Sequence, residues 1–490
     1  MAVGGRDRTA GGWRADRRAW VAAPALAVVV AACSDDPMVV TPVIDTPADD
    51  MDATAAPLDE ITLTVAHAKS DRDLVSQTFS RGESIEVPGV PFGDDLVFHM
   101  SGFVGASNVA YGRTCAVAVA AGTKVPTPHL FFSRSVKFAS LGIAPQPRTG
   151  GLGIPYLGAA LLVGGSSGPD PVVQVERFDP MTGQLSVVGP VAARSGVVQA
   201  LLGTLPPRVV VIGGIYNAGG ATFLEVLDDR GIERLDNFTE MARVDLTATS
   251  LTDGRIMAIG GNPPGQPPTG EIDEIALNDG TIEVRKVGVA LAYPRSGHTA
   301  TRLGDDVGAP VLIAGGVDAS GAPVARAELF KPLSEELAPP TFVAMMLVPR
   351  RGHAATLMPD GSVLFIGGVD AKGLPVQKLE RFSVDTGFVD AGELPVNAGV
   401  IDFSATTLPD GRILLVGGRQ MPDATPTNNA YIARLNPLDG SVDVVATDHL
   451  AIARAGHQAQ VLCDGTVLIT GGTAATFPAE RYNPPPAGRR

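Results

Sequence analysis

Arg350-Arg351-Gly352-His353-Ala354-Ala355-Thr356-Leu357-Met358-Pro359-Asp360-Gly361-Ser362-Val363-Leu364-Phe365-Ile366-Gly367-Gly368 decides the fold. A run of small and apolar residues meets an Asp-Gly turn, whose twist matches that of flanking strands, and a second, wholly apolar run ends in a glycine pair. The stretch therefore predicts a β-hairpin. Its second strand offers no polar face to water, so it must be covered on both sides.

The hairpin recurs. Glycine pairs close apolar runs at 164–165, 213–214, 260–261, 315–316, 367–368, 417–418 and 471–472, with successive gaps of 49, 47, 55, 52, 50 and 54 residues. Asp-Gly turns return at Asp253-Gly254, Asp360-Gly361, Asp410-Gly411 and Asp464-Gly465. A third strand such as Leu379-Glu380-Arg381-Phe382-Ser383 and a fourth such as Gly387-Phe388-Val389-Asp390 complete each unit. A period near 50 residues with four short strands is the mark of a radial repeat.

On these residues, 136–484 resemble a kelch-type β-propeller, which implies seven four-stranded blades around a central channel. The last unit stops at Pro484-Pro485-Pro486 after three strands, and Val136 to Leu141 forms an orphan strand before the first. Pairing the two would close the ring three-plus-one and leave no open sheet edge at the junction. Kelch repeats usually carry a tryptophan opening the fourth strand. Here the only tryptophans, Trp13 and Trp20, precede the mature chain, which should lack tryptophan fluorescence.

Ahead of the repeats, residues 61–135 show short alternating strands, among them Ile61 to Val65, Ser84 to Val87, Leu96 to Met100, Cys115 to Val119 and His129 to Phe132. No helical period separates them, so an all-β small sandwich of Ig-like or transthyretin-like type is expected, acting as a spacer. Val87 to Gly93 reads as a loop, and His67, His99 and His129 as isolated strand histidines.

Residues 1–32 read as a signal peptide: Arg6, Arg8, Arg14, Arg17 and Arg18 precede an apolar run from Trp20 to Ala32 that is short for a membrane span. Val30-Ala31-Ala32-Cys33 resembles the lipobox of bacterial lipoproteins, which implies lipid attachment at Cys33, membrane anchoring through that lipid, and a place in the bacterial cell envelope at the outer membrane or cell surface. Residues 33–60 hold eight carboxylates and no Lys or Arg, and read as a disordered acidic tether, with a disordered tail at 485–490. The signal carries five Arg against Asp7 and Asp16, so its removal takes the formal charge from −14 to −17. Such a chain is a poor nucleic-acid binder. Cys115 and Cys463, in different expected domains, are expected to be separate thiols.

Arg-x-Gly-His opens three units, with Arg295 and His298, Arg350 and His353, and Arg454 and His457. Arg148, Arg194 and Arg243 hold the same place in units one to three, and Val400 replaces arginine in the sixth. Recurrence speaks for a structural role, expected as contacts of each guanidinium with carbonyls between blades. Metal binding by histidines spread around a ring is not expected, and neither is a cofactor. Resemblance to galactose oxidase or to sialic acid mutarotases of the kelch class would imply a copper site built with a tyrosine–cysteine link, or an acid–base pair in the channel. Tyr156, Tyr216, Tyr293, Tyr431 and Tyr482 are scattered, and no carboxylate stands out by position.

The loops after the glycine pairs differ where the strands repeat, which is how ligand contacts are carried on a rigid scaffold. Candidate contacts are Asp170 (in Pro169-Asp170), Tyr216, Asn217, Asn262, Gln266, Asp318, Asp370, Lys372, Arg419 and Asp423. The expectation is a monomeric, non-enzymatic module that binds an unknown protein or peptide on this face. A sugar-directed enzyme or lectin in the channel is the competing expectation.

Overall fold

The structure, a computed structural model, describes residues 38–48, 58–68, 70, 72–80, 83, 85–124, 126–217, 219–338, 344–421, 423–473 and 478–485. The chain divides into compact units Met1–Asp36 and Pro37–Arg490. The signal peptide, Cys33, much of the acidic segment and the tail from 486 lie outside the described residues.

The described residues are all-β and propeller-like. Among them run seven sheets that each carry four strands in antiparallel order, the fourth with a fifth short strand, Ala344–Met345. In the fifth sheet the strands are Ala354–Leu357, Val363–Ile366, Lys378–Ser383 and Gly387–Glu393. First strands of successive sheets touch in order, and His457–Val461 of the last touches Leu152–Tyr156 of the first, so the series closes on itself. In the last sheet Lys137–Ser140 pairs antiparallel with Glu480–Asn483, Lys137 opposite Asn483 and Ser140 opposite Glu480.

The apolar second strands explain the closure. Val363 and Phe365 pack with Leu312 and Ala314 of the fourth sheet, whereas Leu364 and Ile366 pack with Ile413 and Leu415 of the sixth. All four side chains of Val363–Ile366 are fully buried. Each contributes about 1.5–3 kcal/mol, which a strand with one wet face would forgo on alternate residues. The glycine pair that follows is required twice over: Gly367 and Gly368 have φ of 65° and 86°, and a Cβ on Gly367 would sit 2.6 Å from the Val400 carbonyl oxygen.

The small domain holds a six-stranded sheet in which Glu60–His67 lies between Asp73–Ser80 and Gly93–Val104. Three expectations are corrected there. Part of the acidic segment is ordered: Met38–Val40 pairs with Val87–Val90, and Val43–Asp45 pairs parallel with His129–Phe131. Its few apolar residues suffice, since Val40 is fully buried in the domain core and Asp45 accepts a hydrogen bond from His129 at 2.9 Å. Val87–Val90 is accordingly a strand and not a loop. Finally, Cys115 and Cys463 form a disulfide, with Cα atoms 5.1 Å apart. The small domain and the ring belong to one compact unit, so the two sulfurs meet where a boundary between domains was expected to hold them apart.

Candidate functional site

Six buried arginines recur at the start of the sheets, at 148, 194, 243, 295, 350 and 454, none more than 2% exposed. Arg350 donates through Nε to the Val348 carbonyl (3.1 Å), through Nη1 to Gly367 O (3.1 Å) and Lys378 O (2.9 Å), and through Nη2 to Glu380. Glu380, fully buried on the third strand, also accepts the Leu347 and Val348 N–H groups at 2.7 and 2.9 Å. The carbonyl partners are of the expected kind. The contacts, however, lie within one sheet and not between sheets, and their anchor is a carboxylate.

The same arrangement joins Arg148 to Glu176, Arg194 to Glu225, Arg243 to Asp273, Arg295 to Glu328 and Arg454 to Glu480. Burial pulls the Arg350 guanidinium below its usual pKa while the Glu380 charge pushes it back up. The sequence holds a signal for the acid partner: Glu176, Glu328, Glu380 and Glu480 each stand two residues before an aromatic, Phe178, Phe330, Phe382 or Tyr482. Alternation places the aromatic and the acid on the same side of the third strand.

The histidines reach across to the preceding sheet. His298 Nε2 lies 3.1 Å from Thr247 Oγ1, His353 Nε2 3.1 Å from Thr299 Oγ1, and His457 Nε2 2.9 Å from Ser404 Oγ, each hydroxyl belonging to the preceding sheet. Each ring also packs on the first glycine of that sheet's pair, Gly260, Gly315 or Gly417. Burial lowers all three histidines to a pKa of about 3, so they are neutral. Among the described residues no three His, Cys, Asp or Glu side chains gather as a metal site would require.

Two carboxylates do stand out by position. The third residue of the opening element is left-handed in every sheet: Gly150, Gly196, Gly297, Gly352 and Gly456 in five, but Asp245 (φ 52°) and Asp402 (φ 55°) in the third and sixth. Both aspartates are exposed at the loop end of the innermost strands, and Arg419 Nε donates to Asp402 at 2.9 Å. A left-handed aspartate in a glycine position is the signal that sequence spacing offered.

The candidate loop residues divide by role. Asp318 Oδ1 accepts the Ser320 and Ala322 N–H groups, and Asp370 Oδ1 those of Lys372 and Leu374, so both shape their own turns. Arg419 also donates to Ala424 O at 3.0 Å. Tyr216 stacks edge-on against Phe223, with the Arg234 guanidinium 3.7 Å over the Phe223 ring. Asn217 has φ 49° in that turn, and Asn262 is half-buried where its backbone bridges to Val244. Asp170, Gln266, Lys372 and Asp423 are exposed.

The loops and the opening elements share one end of the ring, as bridges such as Arg351 to Val369 and Ser296 to Val317 show. The small domain holds the other end. Cys463 lies in the turn between the first two strands of its sheet, and Asp45 approaches Gly183 in a turn between third and fourth strands.

The innermost strands bring no Asp or Glu to the channel among the described residues. A cavity of about 370 Å³ there is lined by Gln199, Thr247, His298, Thr299 and Thr301 among others. The scattered tyrosines do not converge: Tyr431 and Tyr482 are buried in the sixth- and seventh-sheet cores, Tyr293 is exposed, and Cys463 is bonded to Cys115.

No protein-family model matches the chain, and no curated protein matches it. Among solved structures it is similar to one titled "Structure of YjhT", at 15% identity over 59% of this chain and 93% of the other, with a TM-score of 0.44.

Proposed function

We propose that the chain is a lipid-anchored, non-enzymatic binding protein of the bacterial cell envelope, built as a seven-bladed kelch-type propeller behind a small β-sandwich, and that it engages a protein or peptide with its long-loop face. The observation that carries this is the placement of the small domain at the turn end of the ring, through Cys115–Cys463 and the approach of Asp45 to Gly183. Met38–Val40, the first described strand, belongs to that small domain, and the variable loops stand at the opposite end of the ring.

A second reading, a lectin-like channel, draws on the hydroxyl- and amide-lined cavity of about 370 Å³, a volume within the range of small-ligand pockets. A glycan array and an affinity capture with the soluble form that starts after Cys33 divide the two. Captured protein lost on loop substitution supports the first reading, and strong sugar binding with no protein partner reverses it. Palmitate labelling of the full chain against Cys33→Ser tests the anchor separately.

A further inference from the structure

The disulfide joins residues 348 apart in sequence, and its two ends are not equivalent. Cys463 is partly exposed and sits in the seventh sheet, the one assembled from both sides of the ring sequence; Cys115 is 5% exposed and follows Ser107–Arg113 in the small domain. Closure of the ring rests on four paired residues, Lys137–Ser140 against Glu480–Asn483.

Contacts around this strand pair tie it to the small domain. Asn483 Nδ2 donates to the Tyr111 and Ser133 carbonyls at 2.7 and 3.1 Å. Arg481 is buried between Asp464, the neighbour of Cys463, and the Phe131 ring, 4.4 Å from its centroid. Strand closure, domain docking and the disulfide therefore occupy one patch.

We infer that Cys115–Cys463 is a redox-sensitive clasp on ring closure. Oxidised, it holds the small domain on the seventh sheet and keeps Lys137–Ser140 seated. Reduction by a dithiol proceeds by attack of its thiolate on Cys463 Sγ, the sulfur of the less buried cysteine. The sulfur–sulfur bond breaks and Cys115 leaves as a thiolate that takes up a proton. The reductant's second thiol then displaces Cys463, which also becomes a thiol, while the reductant is oxidised to a disulfide. The polar contacts persist, so the reduced ring stays folded but opens more often at that strand pair.

The test uses the full chain with Cys33→Ser, so that two cysteines remain. Non-reducing peptide mapping should find Cys115 and Cys463 in one linked peptide, and two free thiols in the oxidised protein would overturn the clasp. Native-state amide exchange is then followed with and without dithiothreitol. Amides of 137–140 and 480–483 are expected to exchange about 100-fold faster on reduction, while those of the third and fourth sheets keep their rates. Unchanged exchange at the closing strands, or the same acceleration in every sheet, overturns the inference. Cys115→Ser should reproduce the reduced pattern, and if that variant does not fold, reduction of the Cys33→Ser chain decides alone.

Discussion

Val400 and Tyr431 stand in the sixth sheet where the other six sheets place a buried arginine and its carboxylate. Tyr431 lies opposite Leu415 as Glu380 lies opposite Phe365, and both replacements are buried, with Tyr431 Oη donating to Asn397 Oδ1 at 2.8 Å. Both members of the ion pair are lost together. That is what desolvation demands, because one buried charge left without its partner costs more than an apolar pair of similar size.

The pair can therefore be exchanged as a unit. Arg350→Val alone should cost about 3–5 kcal/mol, by stranding Glu380 and the backbone groups it organises. Arg350→Val with Glu380→Tyr should recover most of that loss, as read from urea midpoints. A double variant no more stable than the single one would contradict the pairing.

The third sheet carries a weak version of the latch. Asp273 is one methylene shorter than the glutamates, its Oδ1 is buried without a hydrogen-bond partner, and burial pushes its carboxyl up to about 6 despite Arg243. Kept ionised at neutral pH, it costs stability. Asp273→Glu should reach the loop N–H groups as Glu380 does and raise stability by about 1 kcal/mol. A lowered thermal midpoint would show that the third sheet cannot take the longer acid.

Acid should loosen the contacts between sheets. His298, His353 and His457 are held near pKa 3 by burial, against about 6.5 in an unfolded chain. The unfolded state binds the protons first, so their contribution is complete above pH 6.5 and is lost as pH falls from there toward 3. Three such groups give a slope of up to ~4 kcal/mol per pH unit within that window. His353→Phe with Thr299→Ala, which copies the residues at the equivalent positions of the sixth and fifth sheets, Phe403 and Ala354, should cut the slope by about a third. A flat pH profile of the urea midpoint would contradict neutral buried histidines.

The repeat and its closure were legible because they depend on local chemistry. Gly367-Gly368 needs left-handed φ, and Val363 to Ile366 has no polar face. The partner of Arg350 was not, since Glu380 is 30 residues away and looks like an ordinary exposed strand acid until the sheet buries it. The strands Met38–Val40 and Val43–Asp45 were hidden by the surrounding carboxylates, and the disulfide by its 348-residue separation. Among the loop candidates, Asp318, Asp370 and Arg419 prove to shape their own loops, a role no composition argument separates from ligand binding.

Site-specific photo-crosslinking in the host cells tests the central claim most directly. A crosslinker is placed at Asp170, Gln266, Lys372 or Asp423 on the loop face, and at Asp279 or Asp385 in turns at the other end of the ring. Crosslinks to one defined protein from the loop positions, with none from the turns, are the predicted result; crosslinks from the turns alone, or no protein crosslink beside strong binding on a glycan array, would contradict it.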